Sequence, residues 1–299
     1  MICAKNITMK FDDFTALKNL SCEIPNACIY GLVGSNGAGK STFLRLISGV
    51  YRPNEGESTV DGATVYENPA VKQKLLYVPD ELYFLPQSNM NDMAKLYAAI
   101  YQNFSYERFR NLTKTFGLVP DKNINTFSKG MKRQAATILA LSSCPEYLFF
   151  DETFDGLDPV MRNLVKQVIY NDVLERGTTT IITSHSLREL EDTCDQLALL
   201  HKGGIVFESD IQNLKTSLFK VQVAFREKFD RERFDGIEIL SYSHAGSVAN
   251  FIARGNKEEI LSRIRAMDPI LMDVLPLNLE EVFIYEMEAL GYAFKDILM

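Results

Sequence analysis

Eight consecutive residues have the types and spacing of a loop that binds phosphate groups. They read GSNGAGKS and match the pattern G-x-x-x-x-G-K-[ST]. Glycine lets the backbone adopt positive φ angles, so that N–H groups can turn inward around an anion. The lysine adds a positive charge for the phosphates, and the next hydroxyl suits Mg²⁺, a cation that prefers oxygen ligands. These residues are Gly34, Ser35, Asn36, Gly37, Ala38, Gly39, Lys40 and Ser41.

The flanking segments predict a strand before this loop and a helix after it. Residues 27–33 form a short apolar run, and residues 40–47 have the pattern of a helix that Gly49 is placed to end. A strand, a glycine loop and a helix N-terminus together form an anion site. A glycine turn with a purely structural role is the alternative, and this context disfavours it.

Two adjacent carboxylates follow a second apolar strand. Asp151 and Glu152 come directly after residues 147–150, which read YLFF. In parallel α/β sheets, ligands bind at the carboxyl ends of the strands, so this position suits a Mg²⁺-nucleotide site. We expect Asp151 to hold the Mg²⁺ shell and Glu152 to take a proton from an attacking water molecule. An acidic turn without function is the alternative, and the glycine loop upstream disfavours it.

Two further polar positions fit the same chemistry. His185 follows a β-branched strand at residues 179–183, where it would face the γ-phosphate, although a lone histidine is more often structural. Ser128 has the residue type of an N-cap before the helix at residues 133–141, and that helix start is a second anion site. One nucleotide does not need two such sites in one subunit. The pattern therefore suggests a dimer in which each subunit's second site covers the other's nucleotide.

Composition and charge exclude several classes of protein. The 299 residues are 46% hydrophobic, which is enough to bury ordinary cores. A net charge of −7 argues against a nucleic-acid partner, because such sites need clustered lysine and arginine. The five cysteines form no C-x-x-C pair, so we expect no zinc or disulfide framework. We find no signal-peptide core and no apolar run of about 20 residues, so work at a membrane would need another chain to cross it.

Strands that alternate with helices along most of the chain predict a largely parallel α/β sheet. We expect this domain at residues 1–212. It would contain an antiparallel β region, where Asp61 and Gly62 predict a hairpin, and a helical subdomain at about residues 82–140. The pattern changes near residues 213–216, and residues 215–299 predict a small C-terminal α+β domain without visible catalytic chemistry. A packing extension of the first domain is an equally open interpretation of this segment.

Side-chain patterns predict where several helices begin. Asp158 and Pro159 open a long helix, and Gly177 is placed to end it. A serine or asparagine three residues before a glutamate predicts an N-cap at three further helices. These pairs are Ser186 with Glu189, Asn256 with Glu259, and Asn278 with Glu281.

Taken in chain order, these elements resemble the ATP-binding subunit of an ABC transporter. The resemblance covers about residues 1–212, and its order and spacing are specific. It implies a P-loop NTPase core that binds ATP and Mg²⁺ and hydrolyses ATP. The matching positions are Phe11, residues 34–41, Asp80, residues 128–131, Asp151, Glu152, residues 154–158 and His185.

The resemblance also implies a role for the residues of the subunit's own nucleotide site. Phe11 would stack on adenine, and Lys40, Ser41 and Thr42 would bind the phosphates and Mg²⁺. The glycine loop would surround the phosphates with its backbone.

Further roles that the resemblance implies concern hydrolysis and a second subunit. Asp151 would support the Mg²⁺ ion, Glu152 would be the catalytic base, and His185 would orient the γ-phosphate and water. Ser128 and Gly130 would contact ATP bound to the opposite subunit.

Two positions depart from the family's pattern. The family usually has glutamine at the position of Asp80. Aspartate is shorter than glutamine but is a stronger Mg²⁺ ligand, so contact with the metal could survive. The effect on coupling to the membrane partner stays open. The usual signature LSGGQ reads FSKGM at residues 127–131, which keeps Ser128 and Gly130. Lys129 adds positive charge beside an anion. We therefore expect an active site with Ser41, Asp80 and Asp151 at the metal.

The SKGM form and the appended C-terminal domain resemble bacterial subunits that pair with type-2 exporter permeases. That resemblance implies an integral-membrane permease and a second ATPase subunit as partners, at the cytoplasmic face of the cell membrane. ATP-dependent dimerisation would power the permease, with Asp158 communicating across the dimer. Residues 83–85, Tyr97 and Tyr101 are candidates for a groove that receives a permease helix, or equally for core. The cargo, and the choice between homodimer and heterodimer, stay open.

A non-transport ATPase of the same superfamily, acting in a nucleic-acid or ribosome process, is the alternative function. DNA-repair members need a long coiled-coil insertion, and ribosome-acting members usually carry two cassettes and a basic linker; this sequence has neither. A P-loop kinase or GTPase is a third class. No Asn-Lys-x-Asp loop for a GTPase occurs, and the Ser128 motif would then have no role.

Overall fold

The structure, a computed structural model, describes residues 1–275 and 277–289 in two compact units, Met1–Glu208 and a second that begins at Ser209. Short 3-10 helices lie at Ile124–Thr126 and Arg231–Phe234. In chain order the strands are β1 Ile2–Phe11, β2 Phe14–Ile24, β3 Ile29–Val33, β4 Glu55–Val60, β5 Ala63–Thr64, β6 Leu75–Val78, β7 Tyr147–Phe150, β8 Thr179–Ser184, β9 Gln196–His201, β10 Gly204–Asp210, β11 Leu218–Ala224, β12 Glu238–Ala245, β13 Val248–Arg254 and β14 Leu271–Leu275. The helices are α1 Lys40–Ile47, α2 Pro69–Lys72, α3 Met90–Ile100, α4 Tyr106–Phe116, α5 Lys129–Ser142, α6 Pro159–Arg176, α7 Leu187–Glu191, α8 Ile211–Ser217, α9 Lys257–Arg265 and α10 Leu279–Ala289.

A six-stranded sheet in the order β10-β9-β3-β8-β7-β6 forms the centre of the first unit. Its strands from β9 to β6 pair in parallel, as the alternation of strands and helices predicts. Strands β3, β7 and β8 are buried along their whole length, which is typical of a sheet covered on both faces. In register, Val33 lies opposite Ser184, and Phe150 lies opposite Ile182. The segments that follow these three strands therefore meet at one edge.

An antiparallel sheet in the order β2-β1-β4-β5 forms the second layer of this unit. Asp61 and Gly62 have φ angles of 51° and 78°, the positive values that a tight hairpin turn requires. Val60 pairs with Ala63 across this turn, which confirms the predicted hairpin. Apolar side chains of β1, β2, α1 and the central sheet then form one continuous buried cluster.

The region predicted as helical, at about residues 82–140, contains α3, α4 and most of α5. Its first helix begins only at Met90, because Asn89 caps it in a reciprocal capping box with Asp92. The segment from residue 82 to residue 89 is not helical, and Pro86 within it lacks the N–H that a helix interior needs. Helix α4 ends at Gly117, which has a φ angle of 68°.

Two helix starts that matter for the site follow their predicted caps. Ser128 accepts a hydrogen bond from the N–H of Met131 at 3.2 Å and begins α5. Asp158 accepts hydrogen bonds at 3.0 Å from the N–H groups of Val160 and Met161, and α6 runs from there to Gly177. Both caps satisfy donors that a helix N-terminus leaves unpaired.

The capping box predicted for Ser186 and Glu189 is wrong. Ser186 precedes α7 but makes no side-chain capping bond. The carboxylate of Glu189 instead accepts a hydrogen bond from Ser184 at 2.6 Å and pairs with Arg162 at 3.1 Å. A cationic partner and a closer hydroxyl donor are stronger partners for a carboxylate than the backbone N–H of an N-cap.

The second unit has an antiparallel sheet in the order β12-β13-β11-β14 together with α8, α9 and α10. Phenylalanines of this unit cluster with aliphatic side chains of β11, β13 and α9 in a separate core. Asn256 caps α9, and Asn278 with Glu281 forms a reciprocal capping box for α10, as predicted. Residues 290–299, the end of the predicted C-terminal domain, lie outside the described residues.

One buried carboxylate joins α4 and α6 within the first unit. Asp172 of α6 is 1% exposed and pairs with Arg108 of α4 and with Arg176, whose Nε lies 3.5 Å away. Arg176 also donates to the carbonyl oxygen of Cys144 at 2.7 Å. Desolvation disfavours a buried charge that has no counter-charge, so these arginines determine whether Asp172 is tolerated at this position.

Asp172→Ala should destabilise the protein by about 3 kcal/mol, because it leaves two arginines without their counter-charge. That loss should lower the Tm by roughly 6–12 °C, measured by differential scanning calorimetry. Glu175→Ala removes an exposed carboxylate from the same helix and should lower the Tm by less than about 2 °C. Equal shifts in the two variants would contradict a role for the buried pair.

Candidate nucleotide-binding site

The loop between β3 and α1 has glycine where a side chain would not fit. Gly37 and Gly39 have φ angles of 80° and 110°, in the left-handed region that favours glycine. A Cβ atom on Gly34 would lie 2.4 Å from the carbonyl oxygen of Leu200, which is closer than real contacts allow. Helix α1 starts directly after Gly39. The glycines thus bring the backbone to a helix N-terminus, where anions bind.

Lys40 lies buried at the base of this loop. Its ammonium group donates hydrogen bonds to the carbonyl oxygens of Gly34 at 2.7 Å and Ser35 at 3.2 Å. The same nitrogen lies 3.4 Å from a carboxylate oxygen of Glu152. The two carbonyl oxygens fix the position of the ammonium, and Glu152 supplies the counter-charge that a bound phosphate would replace.

A cleft of about 250 Å³ opens beside the loop. It brings together most of the residues predicted to bind phosphate, together with the predicted base and two residues of the antiparallel layer. Its lining residues are Phe14, Ala16, Asn36, Gly37, Gly39, Lys40, Ser41, Thr42 and Glu152.

Asp151 is buried at the end of β7 and is held by two hydroxyl groups. Tyr77 donates to one carboxylate oxygen at 2.9 Å, and Thr183 donates to the other at 2.8 Å. Burial, followed by the charge of Asp151, raises the pKa of Tyr77, so its hydroxyl stays a donor. These bonds fix the carboxylate while leaving lone pairs on both oxygens for further donors or cations.

Glu152 has a backbone conformation that is uncommon for a residue with a side chain. Its φ angle is 49°, and its N–H donates to the hydroxyl oxygen of Thr183 at 3.0 Å. Its carboxylate lies 3.4 Å from Nδ1 of His185 and on the other side meets Lys40. Asp155 lies close by, with a carboxylate oxygen within 4.8 Å of ligand atoms of both Glu152 and His185. The predicted base and histidine are therefore together.

The start of α5 packs closely on the loop after β7. A Cβ atom on Gly130 would lie 2.9 Å from the carbonyl oxygen of Gly156, so glycine is needed for this contact. Ser128 is exposed at the cap of the same helix. Within the described part of the chain, neither Ser128 nor Gly130 is among the residues that line the Lys40 cleft. The structure thus separates the two predicted groups of phosphate-binding residues.

Two predicted site residues have other neighbours. Phe11 is 39% exposed and packs edge-on against Tyr51, with ring centroids 5.5 Å apart, whereas Phe14 is 63% exposed and lines the cleft. Asp80 forms an ion pair with Arg133 of α5, at a second cleft of about 530 Å³. The adenine contact of Phe11 and the metal contact of Asp80 stay predictions.

The residues predicted for a partner groove differ in exposure. Tyr83 is 75% exposed and Leu85 is also exposed, whereas Phe84 is buried. Tyr97 and Tyr101 are half-buried and pack on each other with ring centroids 6.1 Å apart. Only Tyr83 and Leu85 of this set therefore offer large exposed side chains.

Sequence reasoning missed Thr183 and Tyr77 as supports of the carboxylate pair. Both are polar groups near the carboxyl ends of strands that flank β7, and that position was the available signal. Sequence reasoning included Asp155 in the motif at residues 154–158 but gave it no role in the site. Burying a hydroxyl group at the end of a strand costs free energy unless the group is hydrogen-bonded, so such a residue indicates that a polar partner lies nearby.

A strand, a glycine loop and a helix, with a buried carboxylate at the end of a neighbouring strand, define a P-loop nucleoside triphosphatase. A family model described as ABC transporter matches residues 17–155. The ABC transporter ATP-binding protein YtrB of Bacillus subtilis (strain 168) is 31% identical over 285 residues, which are 95% of this chain and 97% of YtrB.

Two further comparisons agree with that match. The linearmycin resistance ATP-binding protein LnrL of Bacillus subtilis (strain 168) is 34% identical over 214 residues, 69% of this chain and 68% of LnrL. The dimeric structure of MJ0796, a bacterial ABC transporter cassette, matches with a TM-score of 0.63 and 21% identity, covering 71% of this chain and 99% of the cassette.

The chain belongs to the family of ABC transporter ATP-binding proteins. The family predicted from its motifs, the α/β P-loop fold and the ATPase activity are confirmed. It is an ATP-binding subunit of a transporter, a class that works with a membrane permease. Within residues 1–275 and 277–289, no helix combines the length and apolar character that crossing a bilayer requires.

Thr183→Val should lower kcat for ATP hydrolysis by about 10–100-fold, because it removes the hydroxyl that holds both Asp151 and the N–H of Glu152. The KM for ATP should change by less than about threefold, since the interaction acts on the reacting groups. Steady-state ATPase kinetics measure both values.

Thr180→Val is the matched control for this prediction. Thr180 is buried in the same strand, and its hydroxyl has no hydrogen-bond partner among the described residues. Its replacement should leave kcat within about twofold, because an isosteric change at an unbonded hydroxyl costs little. A similar loss in both variants would show that β8 merely tolerates valine poorly.

Proposed function

We propose that this chain is the motor of an exporter and that two ATPase subunits close around ATP to drive a membrane permease. The proposal rests on one observation. Lys40 and Glu152 share one cleft, whereas Ser128 and Gly130 lie at the start of α5 outside it. Both groups have the chemistry of an anion site, and a second subunit would bring them to the same nucleotide.

The cleft suits the triphosphate of ATP. Gly37 and Gly39 give the loop the backbone conformation of an anion site, and Ser41 and Thr42 supply hydroxyls in the first turn of α1. Lys40 is already oriented by two carbonyl oxygens, so little side-chain entropy is lost when phosphate binds. Glu152 is the anion beside Lys40, and the phosphates would take its place.

The donors around the cleft also suit Mg²⁺, which prefers oxygen ligands. Ser41 would bind the ion with its hydroxyl, and Asp151 would support the ion's shell from the end of β7. Asp80 would join this shell only if its carboxylate left Arg133. When bound, Mg²⁺ neutralises charge that develops on the phosphates during transfer.

Hydrolysis follows from the position of Glu152. Its carboxylate takes a proton from the water whose oxygen attacks the γ-phosphorus, and the bond from that phosphorus to the bridging oxygen breaks. His185, whose Nδ1 lies 3.4 Å from this carboxylate, orients the base and the γ-phosphate. The Thr183 hydroxyl holds the Glu152 backbone in its left-handed conformation, so the base stays aimed at the cleft.

The second subunit would contribute the start of α5. Ser128 and the backbone beside Gly130 would contact the γ-phosphate of the nucleotide held by the other subunit, and Lys129 would add positive charge there. Asp158, which caps α6 after the same loop, would meet its counterpart across the interface. Homodimer and heterodimer satisfy this arrangement equally.

The partner would be an integral-membrane permease, which places the chain at the cytoplasmic face of the membrane. Tyr83 and Leu85 offer exposed apolar surface in the helical region for a permease helix. LnrL, a relative named for linearmycin resistance, supports export as the transport task. The net charge of −7 supports the absence of a nucleic-acid partner.

Phe11→Ala should weaken ATP binding by about tenfold, the scale of one aromatic ring stacked on a base. It should leave binding of inorganic triphosphate unchanged, because Phe11 would contact only adenine. Isothermal titration calorimetry with both ligands separates the two effects.

Phe14→Ala is the control for the adenine contact, because Phe14 is a second exposed phenylalanine close by that lines the phosphate cleft. It should change the affinities for ATP and triphosphate by the same small factor. If only Phe14→Ala lowered the affinity for ATP without lowering that for triphosphate, Phe14 and not Phe11 would contact adenine.

Glu152→Gln should keep the ATP affinity within about threefold and slow hydrolysis by at least roughly 100-fold, because the amide cannot accept the proton. ATP should then hold the variant as a dimer, which sedimentation velocity detects. ADP should leave it monomeric, and Lys40→Ala in the same background should abolish the ATP effect. A Glu152→Gln protein that binds ATP yet stays monomeric would contradict the shared site.

A further inference from the structure

A buried arginine in α5 is the charged group that the nucleotide chemistry leaves unexplained. Arg133 is 1% exposed, and its Nη2 pairs with the carboxylate of Asp80. Its Nε and Nη1 are buried without a hydrogen-bond partner in the described part of the chain. A buried guanidinium with so few partners depends heavily on its one counter-charge. Asp80 therefore has an electrostatic task besides any contact with metal.

Asp80 lies beside a concentration of positive charge. The cleft next to it is also lined by Glu81, Lys129 and Lys132, and the two lysines together with Arg133 occupy the first two turns of α5. Neither lysine forms an ion pair within residues 1–275 and 277–289. The N-terminus of α5 adds the positive end of a helix dipole to these three cations. Of these cations, Arg133 pairs directly with Asp80 and so holds its carboxylate at the start of α5.

The two ends of this ion pair belong to different parts of the site. Asp80 comes two residues after β6, whose Val78 carbonyl accepts the N–H of Asp151 at 2.9 Å. Arg133 comes five residues after Ser128, about one and a half helical turns along α5. The pair therefore connects the strand end beside Asp151 with the helix that carries Ser128.

We propose that Arg133 is a positioning residue that acts through Asp80. The ion pair fixes the start of α5 relative to the strand ends of the same subunit, and so fixes Ser128 and Gly130 in the position from which they meet the other subunit's ATP. This inference rests on the shared nucleotide site proposed above. It also makes Arg133, not the metal, the partner of Asp80.

The test compares variants in the Glu152→Gln background of the full chain by sedimentation equilibrium with ATP and Mg²⁺. Asp80→Gln introduces the amide usual in the family, and Arg133→Gln removes the guanidinium. Each should raise the dimer dissociation constant by about tenfold or more, because each leaves one charge unpaired. The nucleotide affinity of the monomer, measured separately, should stay within about threefold. Lys132→Gln is the matched control, since it removes a positive charge from the same turn without breaking the pair.

The double variant separates positioning from a general loss of structure. The double variant Asp80→Gln with Arg133→Gln leaves no unpaired charge. Its dimer dissociation constant should therefore be at least about tenfold lower than the value obtained by multiplying the two single effects. Additive losses of dimer affinity in the double variant would overturn the inference. An equally large loss of dimer affinity in Lys132→Gln would also overturn it. If Asp80→Gln alone lowered the affinity of the monomer for Mg²⁺-ATP, Asp80 would be a metal ligand and the inference would be wrong. Failure of the Glu152→Gln parent to dimerise would instead contradict the shared site itself.

Discussion

Parallel pairing of β3, β7 and β8 places three strand ends at one edge of the central sheet, and the site depends on that register. The edge receives the glycine loop after Val33, the carboxylates after Phe150 and the hydroxyl of Thr183. A slip of one residue in β7 would turn Asp151 away from Thr183, since alternate side chains face opposite sides. Because all three strands are buried on both faces, such a slip would also require side chains on both faces of the sheet to repack.

The charges at this edge are held mainly by uncharged groups. Carbonyl oxygens orient Lys40, and two hydroxyls orient Asp151, while the counter-charge of Lys40 is the carboxylate of Glu152. Dipoles that are fixed before the ligand binds need no reorganisation when charge develops during the reaction. The left-handed conformation of Glu152 belongs to the same arrangement, because Thr183 bonds to its N–H and to its neighbour's carboxylate. The rigid strand ends thus hold the charged groups of the site in fixed positions.

Features set by neighbouring residues could be predicted from the sequence, and features set by distant partners could not. The turn at Asp61 depends on two adjacent residues, and the cap at Asn278 depends on a residue three positions away, so both agree with the structure. Glu189 has the spacing of a capping residue but pairs with Arg162, a partner from another helix. The hydrogen bond from Tyr77 to Asp151 likewise joins residues 74 positions apart, and no local pattern contains that information.

The same distinction applies to Asp80, whose partner is distant in the sequence. Compared alone with the family's glutamine, aspartate differs in length and in its strength as a metal ligand. Its partner in the fold lies 53 residues away on α5, where a buried guanidinium requires an anion. An amide at that position would leave the buried charge uncompensated, so Asp80 and Arg133 have to be considered as one unit. An ion pair can replace a pair of neutral groups without a change in the backbone conformation. A departure from a family motif is therefore best interpreted together with the residues that contact it.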